Sequence, residues 1–94
     1  MLSSLPIDLG KVSRENVDRE ILRAGILAEL DAINLYEQMA AMAQDEGIRK
    51  VLLDIAKEEK THVGEFQALL LMHDPEQAGE LAKGREEVEE ELSE

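Results

Sequence analysis

Lys57-Glu58-Glu59-Lys60-Thr61-His62-Val63 decides the fold, and within it the pair Glu59 and His62. A Glu-x-x-His spacing sets both side chains on one side of a helix, about one turn apart. Projecting Ile48 to Met72 at about 100° per residue places Ile48, Leu52, Ile55, Ala56, Val63, Phe66 and Leu70 in one arc. Glu59 falls in the middle of that arc, and His62 lies toward its side with Val51, Ile55 and Leu69. A carboxylate at the centre of an apolar stripe is costly to bury unless its charge is compensated. A metal ion held by carboxylate and imidazole is one such compensation.

Upstream, the chain from Arg14 to about Asp45 contains no proline and reads as one long helix, with Ser13 as its N-cap and Glu15 in the first turn. Its apolar arc comprises Ile21, Leu22, Gly25, Ile26, Ala28, Ala32, Ile33, Tyr36, Met39, Ala40 and Ala43. Glu29 interrupts this stripe, about 20° from both Leu22 and Tyr36 in projection. The second helix therefore repeats the anomaly of the first. Asp45-Glu46-Gly47 reads as the break between them, with Gly47 suited to a left-handed position after a helix end. So short a connection makes the two helices antiparallel neighbours. At about 1.5 Å per residue, Glu29 lies some 25 Å from that turn, Glu59 about 20 Å and His62 about 24 Å. All three fall at one level of the hairpin.

The flanks are simpler. Residues 1–12 have no sustained period and read as an extended or disordered arm, interrupted by Pro6 and Gly10. Residues 13–84 form the hairpin with a short third helix. Asp74 caps that third helix, Pro75 takes its first position, and Gln77 completes a capping-box-like signal. Gly84 is expected to end it, and residues 85–94, dominated by Glu, read as an acidic, frayed tail. Leu27, Leu30, Leu53 and Leu71 lie outside the two arcs and suggest a second interface. His73 reads as a helix-end residue that meets free carbonyls.

Composition narrows the function classes. With 94 residues the chain makes one small domain with a marginal core. Having no cysteine, it excludes disulfides, thiolate metal sites and cysteine nucleophiles. A formal net charge of −12 argues against nucleic acid and anionic membranes as partners, and it suits the steering of cations. No secretory signal opens the chain, which makes the cytoplasm the expected compartment. The longest apolar run, Ala68 to Met72, falls far short of the roughly 20 residues of a membrane span.

Di-iron carboxylate proteins of the ferritin-like class set one Glu on each of two helices and a Glu-x-x-His on each of the other two. Glu29, Glu59 and His62 supply half of that set on half of a bundle. A two-fold axis pairing two hairpins would complete it: four helices, four carboxylates and two imidazoles around two metal ions. Oxygen donors with one imidazole per ion suit Fe(II) or Mn(II). The expected fold is all-α, an antiparallel two-helix hairpin plus a short C-terminal helix, dimerising into a ferritin-like four-helix bundle.

The runs Ala28-Glu29-Leu30-Asp31-Ala32-Ile33-Asn34-Leu35-Tyr36-Glu37-Gln38-Met39 and Glu58-Glu59-Lys60-Thr61-His62-Val63-Gly64-Glu65-Phe66 resemble the encapsulated ferritins, from about Glu20 to Glu89. The resemblance implies a hairpin that dimerises through metal and builds an open, ring-like decamer. It implies that the ring sits inside an encapsulin nanocompartment, whose shell stores the iron that the ring oxidises. Glu29, Glu59 and His62 match the family's ferroxidase ligands, and Tyr36 matches a tyrosine near that centre, expected to hydrogen-bond a ligand carboxylate. Two departures stand out. Ala28 leaves Asp31 as the obvious acidic neighbour of the first ligand. The end, Val88-Glu89-Glu90-Glu91-Leu92-Ser93-Glu94, is not the apolar shell-targeting peptide of many relatives, so the chain is expected to be either separate cargo or a domain fused to its shell. The expected activity is oxidation of Fe(II) by dioxygen at a di-iron centre. A rubrerythrin-like peroxidase, a manganese protein and a non-enzymatic helical assembly module are the alternatives, although the extra carboxylate and Cys-rich domain of full rubrerythrins are absent.

Overall fold

The computed structural model describes residues 8–93. They form a 3-10 turn at Leu9–Lys11 and three helices: α1 (Val17–Met42), α2 (Glu46–His73) and α3 (Pro75–Leu92). No strand is present among the described residues. α1 and α2 pack along their lengths as a hairpin, whereas α3 touches only α2 and projects from it. The result is flat, with extents of 46 × 46 × 20 Å.

Residues 1–7 of the expected arm lie outside the described residues. The arm's end is not extended, because the Asp8 carboxylate accepts from Gly10 N–H at 3.0 Å and the Asp8 carbonyl accepts from Lys11 N–H at 3.0 Å, closing a turn. α1 begins one turn later than expected. Ser13 Oγ accepts from Asn16 Nδ2 at 3.1 Å, so its hydroxyl is engaged by a side chain instead of capping a backbone N–H. Asn16 becomes the N-cap residue, without a side-chain capping bond.

The break between α1 and α2 also falls earlier than the sequence suggests, at residues 43–45. Gly47 lies inside α2, and no described residue has a positive φ. Two polar side chains set the turn instead. Asp45 accepts from Ile48 N–H at 2.9 Å and so caps α2. Arg49 reaches back to the end of α1, donating from Nη2 to the Ala43 carbonyl at 2.7 Å and from Nε to the Ala40 carbonyl at 3.2 Å. The Ala43 carbonyl, which would lack a partner at the helix end, is thereby satisfied without a glycine.

At the other end of α2 the expected restart forms. Pro75 opens α3, and Asp74 Oδ1 accepts from Gln77 N–H at 3.2 Å. Asp74 Oδ2 accepts from Arg23 Nη2 at 3.0 Å, which ties the α2–α3 corner to α1 and accounts for the burial of Asp74. Gly84 does not end α3, which continues to Leu92. One exposed glycine costs a helix only about 1 kcal/mol, and a 2.9 Å ion pair between Arg85 and Glu89 supports the turn just beyond it. The acidic tail is thus helical rather than frayed.

Ile33 and Ala40 of α1 and Ala56 and Leu70 of α2 are the buried apolar residues, spread along the hairpin, and no large side chain among the described residues is wholly enclosed. Leu22, Ile26, Leu52, Ile55, Val63 and Phe66 are half-buried around them. The flanks of both stripes stay open: Ile21 and Met39 on α1, and Ile48, Val51 and Leu69 on α2, are exposed. Leu27, Leu30 and Leu53 are exposed as well, while Leu71 is half-buried. No described helix is long and apolar enough to cross a membrane.

Candidate metal centre

The earlier turn sharpens the alignment of the candidate ligands. Glu29 stands thirteen residues before the end of α1 at Met42, and Glu59 thirteen residues after the start of α2 at Glu46. At about 1.5 Å per residue both are roughly 20 Å from the turn, so the carboxylates face one another across the hairpin. His62 follows Glu59 by one turn.

The three side chains meet. His62 Nδ1 is 3.5 Å from Glu29 Oε2 and 3.5 Å from Glu59 Oε2. One donor atom from each residue lies within 4.8 Å of the others, a grouping able to hold a metal ion. Both carboxylate side chains are 19% exposed and the imidazole 45%, so the site is walled by α1 and α2 and open on the imidazole side. Glu29 Oε2 is buried and has no hydrogen-bond partner. At 3.5 Å its contact with His62 is longer than a normal N–H···O bond. A buried carboxylate oxygen without a partner is destabilising, and here it borders the gap between the Glu29, Glu59 and His62 donors.

The gap suits a divalent ion. Oxygen and nitrogen donors approach such ions at about 2.1 Å, and two donors at right-angled to tetrahedral positions then lie about 3.0–3.4 Å apart. The 3.5 Å separations from the imidazole need little adjustment to reach that range. Two carboxylates also balance one divalent charge, and no thiolate is present to favour softer ions.

Phe66 forms one wall. Its ring lies against Gly25, where a Cβ would meet three ring carbons at 3.1 Å, so glycine lets the ring approach the α1 backbone one turn from Glu29. Beside it, a cavity of about 340 Å³ is lined by Glu29, His62, Glu65, Phe66 and Leu69 and opens to solvent. Glu65 escapes a sequence reading because it is one exposed acid among 22 acidic residues; the available signal is its place one turn beyond His62. Tyr36 is half-buried on α1, two turns from Glu29 and about 10 Å along the axis. It does not hydrogen-bond Glu29 Oε2, which has no such partner. His73 is exposed in the last turn of α2, remote from the three ligands.

A helical hairpin with Glu29, Glu59 and His62 grouped between its two long helices is the arrangement of the ferritin-like class. Residues 7–84 match the EncFtn-like family model, and the chain belongs to that family. It is 69% identical over 71 residues to a ferritin-like–encapsulin shell fusion protein of Pyrococcus furiosus, covering 76% of this chain and 21% of that protein. It is 38% identical over 81 residues to the encapsulin nanocompartment cargo protein EncC of Myxococcus xanthus, covering 83% of this chain and 60% of that one. Thus the chain spans about a fifth of the first relative and three-fifths of the second. In three dimensions it is similar to the crystal structure of the encapsulated ferritin domain from Pyrococcus furiosus. The TM-score is 0.81 at 59% identity, over 96% of this chain and 94% of that domain.

Proposed function

We propose that this chain is half of a ferroxidase: two hairpins pair about a two-fold axis, and their joined ligand sets oxidise Fe(II) with dioxygen. The observation that carries this reading is the buried, unpartnered Glu29 Oε2, facing His62 Nδ1 at 3.5 Å in a group that also holds Glu59. Pairing brings the second Glu29, Glu59 and His62 into the same bundle, giving the four carboxylates and two imidazoles of di-iron centres in this class.

Iron is the substrate. Glu29, Glu59 and His62 bind and orient two Fe(II) ions close enough to deliver electrons to one oxygen molecule. Two Fe(II) give two electrons, which with two protons convert dioxygen to hydrogen peroxide; four give water. Four carboxylates neutralise two divalent ions and favour the more highly charged Fe(III), so the ligand set assists oxidation. Tyr36, two turns away along α1, is assigned the supporting role of a polar group near the centre of the paired bundle.

The names of the relatives support a setting. One is a fusion with an encapsulin shell and the other is nanocompartment cargo. By analogy this chain works with an encapsulin shell, inside a nanocompartment in the cytoplasm, and feeds Fe(III) to iron storage there. Exposed Leu27, Leu30 and Leu53 offer the second interface by which dimers build a ring-like decamer.

Oxygen uptake on mixing anaerobic Fe(II) with aerated buffer tests the reading. The parent chain should consume oxygen well above the rate of iron alone, and Glu29→Ala and His62→Ala should fall to that background. Equal rates in parent and variants would overturn the assignment.

A further inference from the structure

Ten Lys and Arg residues stand against 22 acids in this chain, and three of the ten line one cavity at the far end of α1 from the turn. Lys11, Arg19 and Arg23 border a solvent-open space of about 510 Å³ together with Ser13, Asn16 and Glu20. Hydrogen bonds within the lining engage its neutral side-chain acceptors. Arg19 Nη2 donates to Asn16 Oδ1, and Asn16 Nδ2 donates to Ser13 Oγ at 3.1 Å. The Ser13 hydroxyl hydrogen is thus the free end of a chain that starts at a guanidinium, and the members of such a chain polarise one another. Arg23 commits only Nη2 to Asp74, at 3.0 Å, and Lys11 Nζ lies 4.0 Å from Asp8, too far for a hydrogen bond. The lining side chains therefore present mostly donors, and Glu20 is the one acid among them.

We infer that this cavity binds inorganic phosphate in its singly protonated form. The three cations and the Ser13 hydroxyl offer hydrogens to the bare oxygens, and the Glu20 carboxylate accepts from the P–O–H. That carboxylate sets the selection. Near neutral pH inorganic phosphate keeps at least one O–H, whereas sulfate has none and a phosphate monoester loses its last above a pKa of about 6. Either of these sets a bare oxygen against Glu20 and is repelled. The bound anion joins three parts of the fold: Lys11 ahead of α1, Arg19 within it, and Arg23 where Asp74 ties α1 to the α2–α3 corner. The site is also clear of the proposed pairing. In projection Arg19, Arg23 and Glu20 lie about 80°, 120° and 180° round α1 from Glu29, while Ile21 and Met39 of the open flank lie about 80° round the other way. Phosphate binding is therefore independent of the ferroxidase reading.

Isothermal titration calorimetry of the full, metal-free chain tests this at about pH 8, in low-salt buffer free of oxyanions. A chain of net charge −12 repels anions as a whole, so saturable binding reports the local cluster. Inorganic phosphate should bind at one per chain, and sulfate and methyl phosphate about tenfold more weakly, the worth of one hydrogen bond to a charged group. Lys11→Gln and Arg19→Gln should each weaken phosphate by about the same factor. Lys50→Gln, which removes an exposed cation on α2, should match the parent. Glu20→Gln should remove the preference, bringing all three anions to similar affinity. No saturable binding of phosphate would overturn the inference, as would equal binding of sulfate or methyl phosphate by the parent. Unchanged selectivity in Glu20→Gln would overturn it too, and so would an equal loss in Lys50→Gln, which would assign binding to overall charge.

Discussion

Replacing Glu29 by glutamine should stabilise the metal-free protein while abolishing its response to metal. Donor oxygens of Glu29 and Glu59 lie within 4.8 Å of one another, and Glu29 Oε2 has no hydrogen-bond partner. Two unit charges at that distance repel by about 3.5 kcal/mol at an effective dielectric constant of ~20. Solvent reaching the site past the 45% exposed imidazole screens the interaction, leaving roughly 1–2 kcal/mol to be gained. In a domain of this size each kcal/mol moves the melting temperature by about 4–8 °C. Metal-free Glu29→Gln should therefore melt about 4–16 °C above the parent in EDTA. Added Mn(II), which avoids oxidation, should raise the parent's Tm and leave the variant's unchanged. Calorimetry reads both. A variant less stable than the parent without metal would refute the reasoning, because Glu29 would then belong to an internal ionic network with His62 rather than to a cradle awaiting an ion.

Asp74→Ala removes both the α3 cap and the Arg23 pair; a cap is worth about 1 kcal/mol, so amide exchange should accelerate through α3 much more than in the hairpin. Arg49→Met leaves the Ala43 carbonyl without its donor and removes one of two from the Ala40 carbonyl, and chemical denaturation should show a loss of about 1–2 kcal/mol. Gly25→Ala sets a Cβ 3.1 Å from the Phe66 ring. Overpacking of about 1–3 kcal/mol should outweigh a helix-propensity gain of about 1 kcal/mol. With Phe66→Leu as background the same change should instead stabilise, and denaturation of all four proteins closes the cycle.

What the sequence made legible was periodic. Glu29, Glu59 and His62 stand out because charge breaks an apolar stripe, and their coincidence in level needs only helix rise and a turn. The turn itself was displaced because a glycine is an ambiguous stop signal. Gly47 fits a left-handed position, yet the hydrogen bonds of Asp45 and Arg49 end one helix and start the next before it. Gly84 misleads in the same way, since helix formers on both sides carry α3 through it. The Arg23–Asp74 pair joins residues 51 apart, which no local pattern reveals.

The open flank of the hairpin and the open side of the metal centre coincide. Ile48, Val51 and Leu69 are 56%, 59% and 46% exposed, and they share the edge of α2 that presents His62. A single hairpin leaves this surface wet, and burying such side chains is worth about 1.5–3 kcal/mol each. In the proposed pairing a second copy covers it and shields the imidazole in the same step. Without metal, however, pairing also gathers four carboxylates, in chains that each carry a net charge of −12, so apolar gain is opposed by charge. Two divalent ions remove the local part of that opposition. An ion that binds the pair and not the single hairpin adds RT ln(1 + [L]/Kd), about 2.7 kcal/mol at a hundredfold excess over Kd. The flank supplies the attraction and the carboxylates the veto, so association should follow the supply of iron.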